Sequence, residues 1–200
     1  MKKFIFFALI FMSIQQADAQ YYSGFWCDDC YSSIEVGVVQ SNISGLEGAS
    51  SKTGFHLGIY QFSYISESFS IRYGSSYTNL GANIDGFEEP LIIHGINFPL
   101  SVHYMYDYKF QGFLGGELGT NIFGKIPSST GDSFDQLFDF QEVFTVFDAS
   151  VFLGVGYILI ETIDINLKYN IGVTDINKSV EGPELRKNWL TLSVAYTWRD

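Results

Sequence analysis

Basic residues are scarce in this 200-residue chain, with 11 Lys and Arg against 22 Asp and Glu. At a formal net charge of −11, no basic stripe exists to follow a phosphate backbone, so nucleic acid is excluded as a partner. Cysteine is scarcer still, limited to Cys27 and Cys30. A structural zinc site takes four ligands, and no second Cys/His cluster lies within reach of this pair in sequence. Long apolar runs are also missing. Beyond residue 19 nothing approaches the roughly 18 to 20 unbroken apolar residues of a transmembrane helix. Any membrane span must therefore be built from strands.

The first residues read as a secretory leader. Met1-Lys2-Lys3 is a positive start, residues 4–12 are apolar, and Ala17-Asp18-Ala19 has the small-x-small pattern of a cleavage site. Residues 1–19 are thus expected to be a signal peptide, with Gln20 the new N-terminus. No lipobox cysteine follows directly, which argues against a lipoprotein. Cleavage removes Lys2, Lys3 and Asp18, leaving 9 basic and 21 acidic residues and a net charge of −12.

Beyond the leader, the chain offers eight β-type segments. Residues 32–40 place Ile34, Val36 and Val38 on one face, and residues 53–64 do the same with Phe55, Leu57 and Ile59. Residues 68–78 alternate Phe69, Ile71, Tyr73 and Tyr77 with Ser70, Arg72, Gly74 and Ser76, a strict period of two. Residues 91–106 set Ile96, Phe98, Leu100, Val102 and Tyr104 against Gly95, Asn97, Ser101 and His103. The fifth and sixth segments, 110–122 and 145–159, put Glu117 and Asp148 opposite Leu118 and Phe147. The seventh, 162–173, alternates Ile163, Ile165, Leu167, Tyr169 and Ile171 with Asp164, Asn166, Lys168 and Asn170. The last closes as Leu190, Leu192, Val194, Tyr196 and Trp198, with small or hydroxylated residues between them.

Four successive polar positions on one face would be ruinous in a soluble barrel's core. They are acceptable as the lining of a membrane barrel, whose apolar face meets lipid. The connections agree: residues 65–67, 107–109 and 161 are short, whereas 42–52, 79–90, 124–144 and 175–188 are long. Such alternation is expected of periplasmic turns against extracellular loops. The expected fold is all-β: an eight-stranded antiparallel transmembrane β-barrel, an up-and-down meander over residues 32–200, with both termini in the periplasm. Residues 20–31 are expected to form a periplasmic N-terminal tail. Eight strands leave an interior that side chains can fill, so a wide pore is not expected.

Asn97-Phe98-Pro99-Leu100-Ser101-Val102-His103-Tyr104 looks like an "E-I-P-L-L-L-K-Y" strand, with Asn97 where that pattern has Glu. The stretch from Phe147 to Gly156 is similar to "F-D-x-G-x-x-x-G-x-G", and that from Lys168 to Ile176 to "R-Y-x-x-G-L-T-N-I". In these three pieces the chain resembles the PorT-like outer-membrane β-barrel family of Bacteroidetes, often labelled porin family. The resemblance implies an eight-stranded barrel and no established catalytic residues. It also supports a strand through Pro99, where the missing donor predicts a bulge or a local break in pairing.

Cys27-Asp28-Asp29-Cys30 invites a redox or metal reading. A thioredoxin-like motif needs a βαβ context, and none follows. In an oxidising compartment a local disulfide between Cys27 and Cys30 is the ordinary outcome. Arg72, Glu117, Asp148, Asp164, Lys168 and His103 all fall on the expected inner face. They fit either a gated ion path or a paired polar network that plugs the lumen. Pairing is favoured, because buried charges must be compensated. His56, His94 and His103 invite comparison with lipid-modifying barrel enzymes, yet no Ser-His-acid set emerges from spacing, and triads are recognised by geometry. Phe134, Leu137, Phe138 and Phe140 in the third long loop suggest a docking surface, or extensions of the flanking strands above the membrane.

The function expected from these residues is non-enzymatic: an outer-membrane barrel with an envelope-structural or interaction role, its interior plugged by polar side chains. Neither a cofactor nor a metal is expected. The expected partners are outer-membrane lipid and a protein or glycan at the extracellular loops, with the barrel a monomer. Two alternatives belong to other classes. One is a soluble lipocalin-like periplasmic barrel binding a small ligand, which needs the aliphatic face inward. The other is a lipid A-modifying barrel enzyme.

Overall fold

The structure, a computed structural model, describes residues 30–127, 143–179 and 182–199. The expected leader, Cys27, and the loop residues Phe134, Leu137, Phe138 and Phe140 lie outside the described residues. Eight strands follow one another: β1 (Cys30–Ser44), β2 (Ala49–Tyr64), β3 (Phe69–Ile84), β4 (Leu91–Tyr106), β5 (Phe110–Lys125), β6 (Phe147–Ile160), β7 (Ile163–Gly172) and β8 (Arg186–Arg199). They form a closed meander barrel in chain order. Closure is by antiparallel pairing of β1 with β8, from Tyr31↔Arg199 to Ser44↔Arg186.

The wall is inverted relative to a soluble barrel. Leu118 is 66% exposed and points outward, while its neighbour Glu117 is 4% exposed and points inward. The same holds for Leu100 beside Ser101, Leu153 beside Phe152, and Leu192 beside Ser193. This outward aliphatic belt with a polar lumen is the arrangement that lipid, not water, stabilises. The lipocalin-like alternative required the reverse orientation, which the chain does not adopt. Aromatic pairs edge the belt at the turn end: Phe69 with Tyr104 and Phe110 with Tyr157. Phe55, Tyr77, His94 and Phe123 form a ring-to-ring row at the other edge. Eight residue steps from Phe69 to Tyr77 on tilted β3 span about 20 Å, near the ~25 Å apolar band of such barrels.

Several strands run past the limits set by apolar alternation, by the most at the loop end. β1 continues to Ser44, β2 begins at Ala49, β3 reaches Ile84, β5 reaches Lys125 and β8 starts at Arg186. On β1 and β3 the pattern reverses there. Along β1 the outward residues change from Ile34, Val36 and Val38 to Gln40, Asn42 and Ser44, while the inward ones change from Ser33 and Glu35 to Val39 and Ile43. Ladder hydrogen bonds continue although the period of two changes hands, which is why apolarity alone misplaced the ends.

The first loop consequently shrinks to residues 45–48, with Gly45 and Gly48 at φ 88 and 68. It is no longer than the turn at 65–68, so the expected contrast of connection lengths fails at this hairpin. β6 begins at Phe147, not 145. The preceding residues instead leave the ladder, where Phe144 bridges Asn177 and Thr145 donates its backbone N–H to Ile176.

Pro99 has the expected local consequence. On its β5 side the ladder is continuous through Pro99↔Glu117. On its β3 side pairing runs to Tyr73↔Leu100 and resumes only at Ser76↔Asn97. A residue without an N–H breaks one ladder and spares the other.

Candidate functional site

The lumen is filled in layers. Nearest the turns, Tyr31 stacks on Phe62 with ring centroids 4.5 Å apart, and Tyr60 completes a buried aromatic cluster. Beside it, Arg72 pairs with Glu35, its guanidinium carbon 3.5 Å from the centroid of the Tyr60 ring. The other Glu35 oxygen accepts from Ser193 at 2.8 Å and lies 3.4 Å from Nε2 of His56. A second pair, Lys168 to Glu117 at 3.3 Å, has its ammonium 4.9 Å from the Phe152 ring. Higher still, Lys187 donates to Asp148 at 2.7 Å and to Asn121 at 3.0 Å.

At the loop end the filling changes character. Val39, Leu80 and Trp189 form one apolar layer. Above it Ile43, Ala82, Leu91, Ile93, Phe144, Ile176 and Leu185 make a larger buried cluster. Phe144, Ile176 and Leu185 come from the described parts of the connections and pack inward as a cap. In the β7–β8 connection, Oδ1 of Asp175 accepts backbone N–H bonds from Asn177 at 2.9 Å and Leu185 at 2.8 Å. These bonds, the one from Asn177 foremost, hold the Asp175 carboxyl below its ordinary pKa.

The six residues expected on the inner face do not form one network. Arg72, Glu117, Asp148, Lys168 and His103 are buried, whereas Asp164 is half-buried at the turn-end mouth. Only Glu117 and Lys168 pair with each other. Arg72 and Asp148 take partners that periodicity did not single out, Glu35 and Lys187. Asp164 accepts from Thr197 at 3.5 Å. Glu35 was legible, since it alternates with Ile34 and Val36 as Arg72 does with Ile71 and Tyr73. Lys187 was not, because its segment read as loop. Cys30 opens β1 and is disulfide-bonded.

Among the histidines, His56 and His103 face the lumen while His94 sits on the outer wall beside Phe123. His103 does have a nucleophile-like neighbour. Its Nδ1 lies 3.2 Å from the Gln111 oxygen, which can only accept, so Nε2 is left to accept from Ser101 at 3.0 Å. The orienting group is a neutral amide, however, and Ser101 is 3% exposed. A cavity of about 420 Å³ opens at the turn end, lined by Tyr31, Met105, Gln111, Glu161, Asp164 and Thr197 but not by Ser101. Among the described residues, no group of three His, Cys, Asp or Glu is placed to hold a metal.

No family model matches the chain, and no curated protein does. Solved structures are similar to it over most of its length. Ail, the attachment invasion locus protein of Yersinia pestis, is 16% identical with a TM-score of 0.49, over 85% of this chain and 99% of that one. Neisserial surface protein A is 16% identical with a TM-score of 0.48, over 82% and 96%. OprG from Pseudomonas aeruginosa is 12% identical with a TM-score of 0.43, over 85% and 96%. At such identities no role passes to this chain, and the barrel assignment stands on its own strand order and register.

Proposed function

We propose that this chain is a non-enzymatic outer-membrane barrel that is filled rather than open, with a structural or contact-making role in the envelope. The observation that carries this reading is the lumen: three buried ion pairs across its middle and an apolar cap over its loop end. Eight strands enclose little space beyond their own side chains, and here side chains occupy its middle and its loop end, leaving the cavity at the turn-end mouth. Tyr31 pairs with Arg199, so β1 begins and β8 ends at the turn end. In this reading that end faces the periplasm, and the loops meet partners outside the cell. Kinship with the PorT-like barrels belongs to the same proposal. The three resembling stretches fall on β4, β6 and the end of β7 with the residues that follow it, and Asn97 donates to Thr78 at 2.9 Å where the family pattern would place a carboxylate.

The test is membrane fractionation with gel mobility before and after boiling, followed by planar-bilayer recording. A carbonate-resistant band that shifts on heating, with no stepwise conductance, is the expected outcome. A soluble protein without a heat shift overturns the membrane reading. Large unitary steps overturn the filled lumen.

A further inference from the structure

One polar group lies along the outer wall at the upper edge of the apolar belt, with Tyr77 and His94 half-buried and Lys52 and Asn79 lying flat against the wall, 8% and 9% exposed. Lys52 lies within the β2–β3 irregularity between Ser51 and His56, and His94 lies at the β4–β5 irregularity between His94 and Gly95. Bulges re-aim side chains and are enriched at barrel rims. The Lys52 stem crosses Gly81, where an added Cβ would lie 3.1 Å from its Cδ; φ of +148 at Gly81 also disfavours any side chain there. Its ammonium donates to Oδ1 of Asn79 at 2.5 Å and to the Thr53 carbonyl at 3.4 Å. Asn79 is the register partner of His94, and its Nδ2 sits 3.3 Å from the His94 ring nitrogens. Nδ1 of His94 is 2.5 Å from the Tyr77 hydroxyl.

Counting protons along this chain leaves a surplus. Lys52 fixes the Asn79 amide with its oxygen toward the ammonium, so Nδ2 can only donate toward His94. If Asn79 donates to Nε2, then Nδ1–H donates to Tyr77 and the phenol proton is left over. If the phenol donates to Nδ1 instead, Nε2–H is left over. Either tautomer leaves one donor of the Tyr77–His94 pair without an acceptor in the group. Lys52 keeps a third N–H and a positive charge. The flanking rings of Phe55 and Phe123 lie 5.5 Å from Tyr77 and 4.3 Å from His94, the row expected at headgroup depth. A cation with surplus donors at that depth on a lipid-facing wall meets one abundant acceptor, the lipid phosphate.

We propose that Lys52, Tyr77 and His94, joined through Asn79, form a lipid-phosphate site on the outer wall of the barrel. The proposal rests on the barrel being lipid-embedded. Lys52 supplies charge, the Tyr77–His94 pair supplies a directed hydrogen bond, and Gly81 leaves room for the lysine stem to lie flat.

The experiment is native mass spectrometry of the full chain in a phosphate-free maltoside detergent, with bisphosphorylated lipid A added, and separately with the same lipid after its phosphates are removed. Heat-shifted gel mobility of each sample tests the barrel reading independently. The wild type is expected to retain one phosphorylated lipid at collision energies that strip the dephosphorylated one. Lys52→Gln is expected to lower retention about tenfold, the loss of one charge-assisted hydrogen bond. Tyr77→Phe is expected to lower it less, and Lys125→Gln, at a rim lysine already paired with Glu89, is expected to leave it unchanged. Equal retention by the wild type and Lys52→Gln, with both still heat-modifiable, overturns the site. Equal losses in Lys52→Gln and Lys125→Gln overturn it too, since that is general charge attraction. Equal retention of both lipids shows that acyl chains alone are held.

Discussion

The middle of the lumen and its loop end are enclosed by the same strands but packed with opposite materials. In the middle, Arg72 faces Glu35 and Lys168 faces Glu117 behind an aliphatic outer wall. Eight to ten residues further along β1 and β3, Ile43, Leu80 and Ala82 fill the inside, and polar residues such as Gln40 and Asn42 take the outside. The strands continue across that boundary, with irregularities in β2 and β4; what changes is the solvent outside. Where lipid surrounds the wall, apolar groups go outward and polar ones pair within. Where water surrounds it, the barrel reverts to an ordinary apolar core.

Glu35→Ala is the hardest test of the lower region, because it strands the Arg72 guanidinium in the lumen. A loss of about 3–5 kcal/mol is expected in urea unfolding from lipid vesicles. Replacing both partners together, Glu35→Leu with Arg72→Met, is expected to recover most of it. A double variant as unstable as the single one would mean that the pair's geometry, not its uncompensated charge, matters.

Phe144→Ala probes the upper region in the same assay. A cost of about 3 kcal/mol is expected for a buried aromatic, and a cost near zero would show that the cap is not a packed core. Placing a cation on the outer wall then locates the boundary itself. Leu100→Arg in the belt is expected to cost about 2–4 kcal/mol if it sits near the midplane. Gln40→Arg, beyond the boundary, is expected to stay within about 0.5 kcal/mol. Similar costs at the two positions would remove the boundary from between them.

The smallest effect is a pH dependence in the loops. The folded pKa of Asp175 is lowered by the backbone bonds from Asn177 and Leu185. Its stabilisation is therefore present above the carboxyl's unfolded pKa and is lost as pH falls through the depressed folded one. Stability of the wild type relative to Asp175→Asn should shrink across that acid window and stay flat above it.

Much of this was open to reading from residues alone. The run Phe69-Ser70-Ile71-Arg72-Tyr73 carries its own face assignment, and eight such runs give strand number, meander order and an inward position for Arg72, Glu117, Asp148 and Lys168. Partner choice was not open to reading. Glu35 lies 37 residues from Arg72, and Asp148 lies 39 from Lys187. A period of two selects a face, and it does not specify which residue two strands away sits at the same height.

The order of polar and apolar residues determined the strands, their two faces and the solvent each face demands, because alternation is a local property of extended chain. Tertiary structure alone decided how far the strands continue beyond the belt, which charges meet inside, and that Lys52, Asn79, His94 and Tyr77 share one patch of outer wall. Those outcomes depend on register between strands and on bulges that shift it. Register is fixed only when all eight strands close on one another.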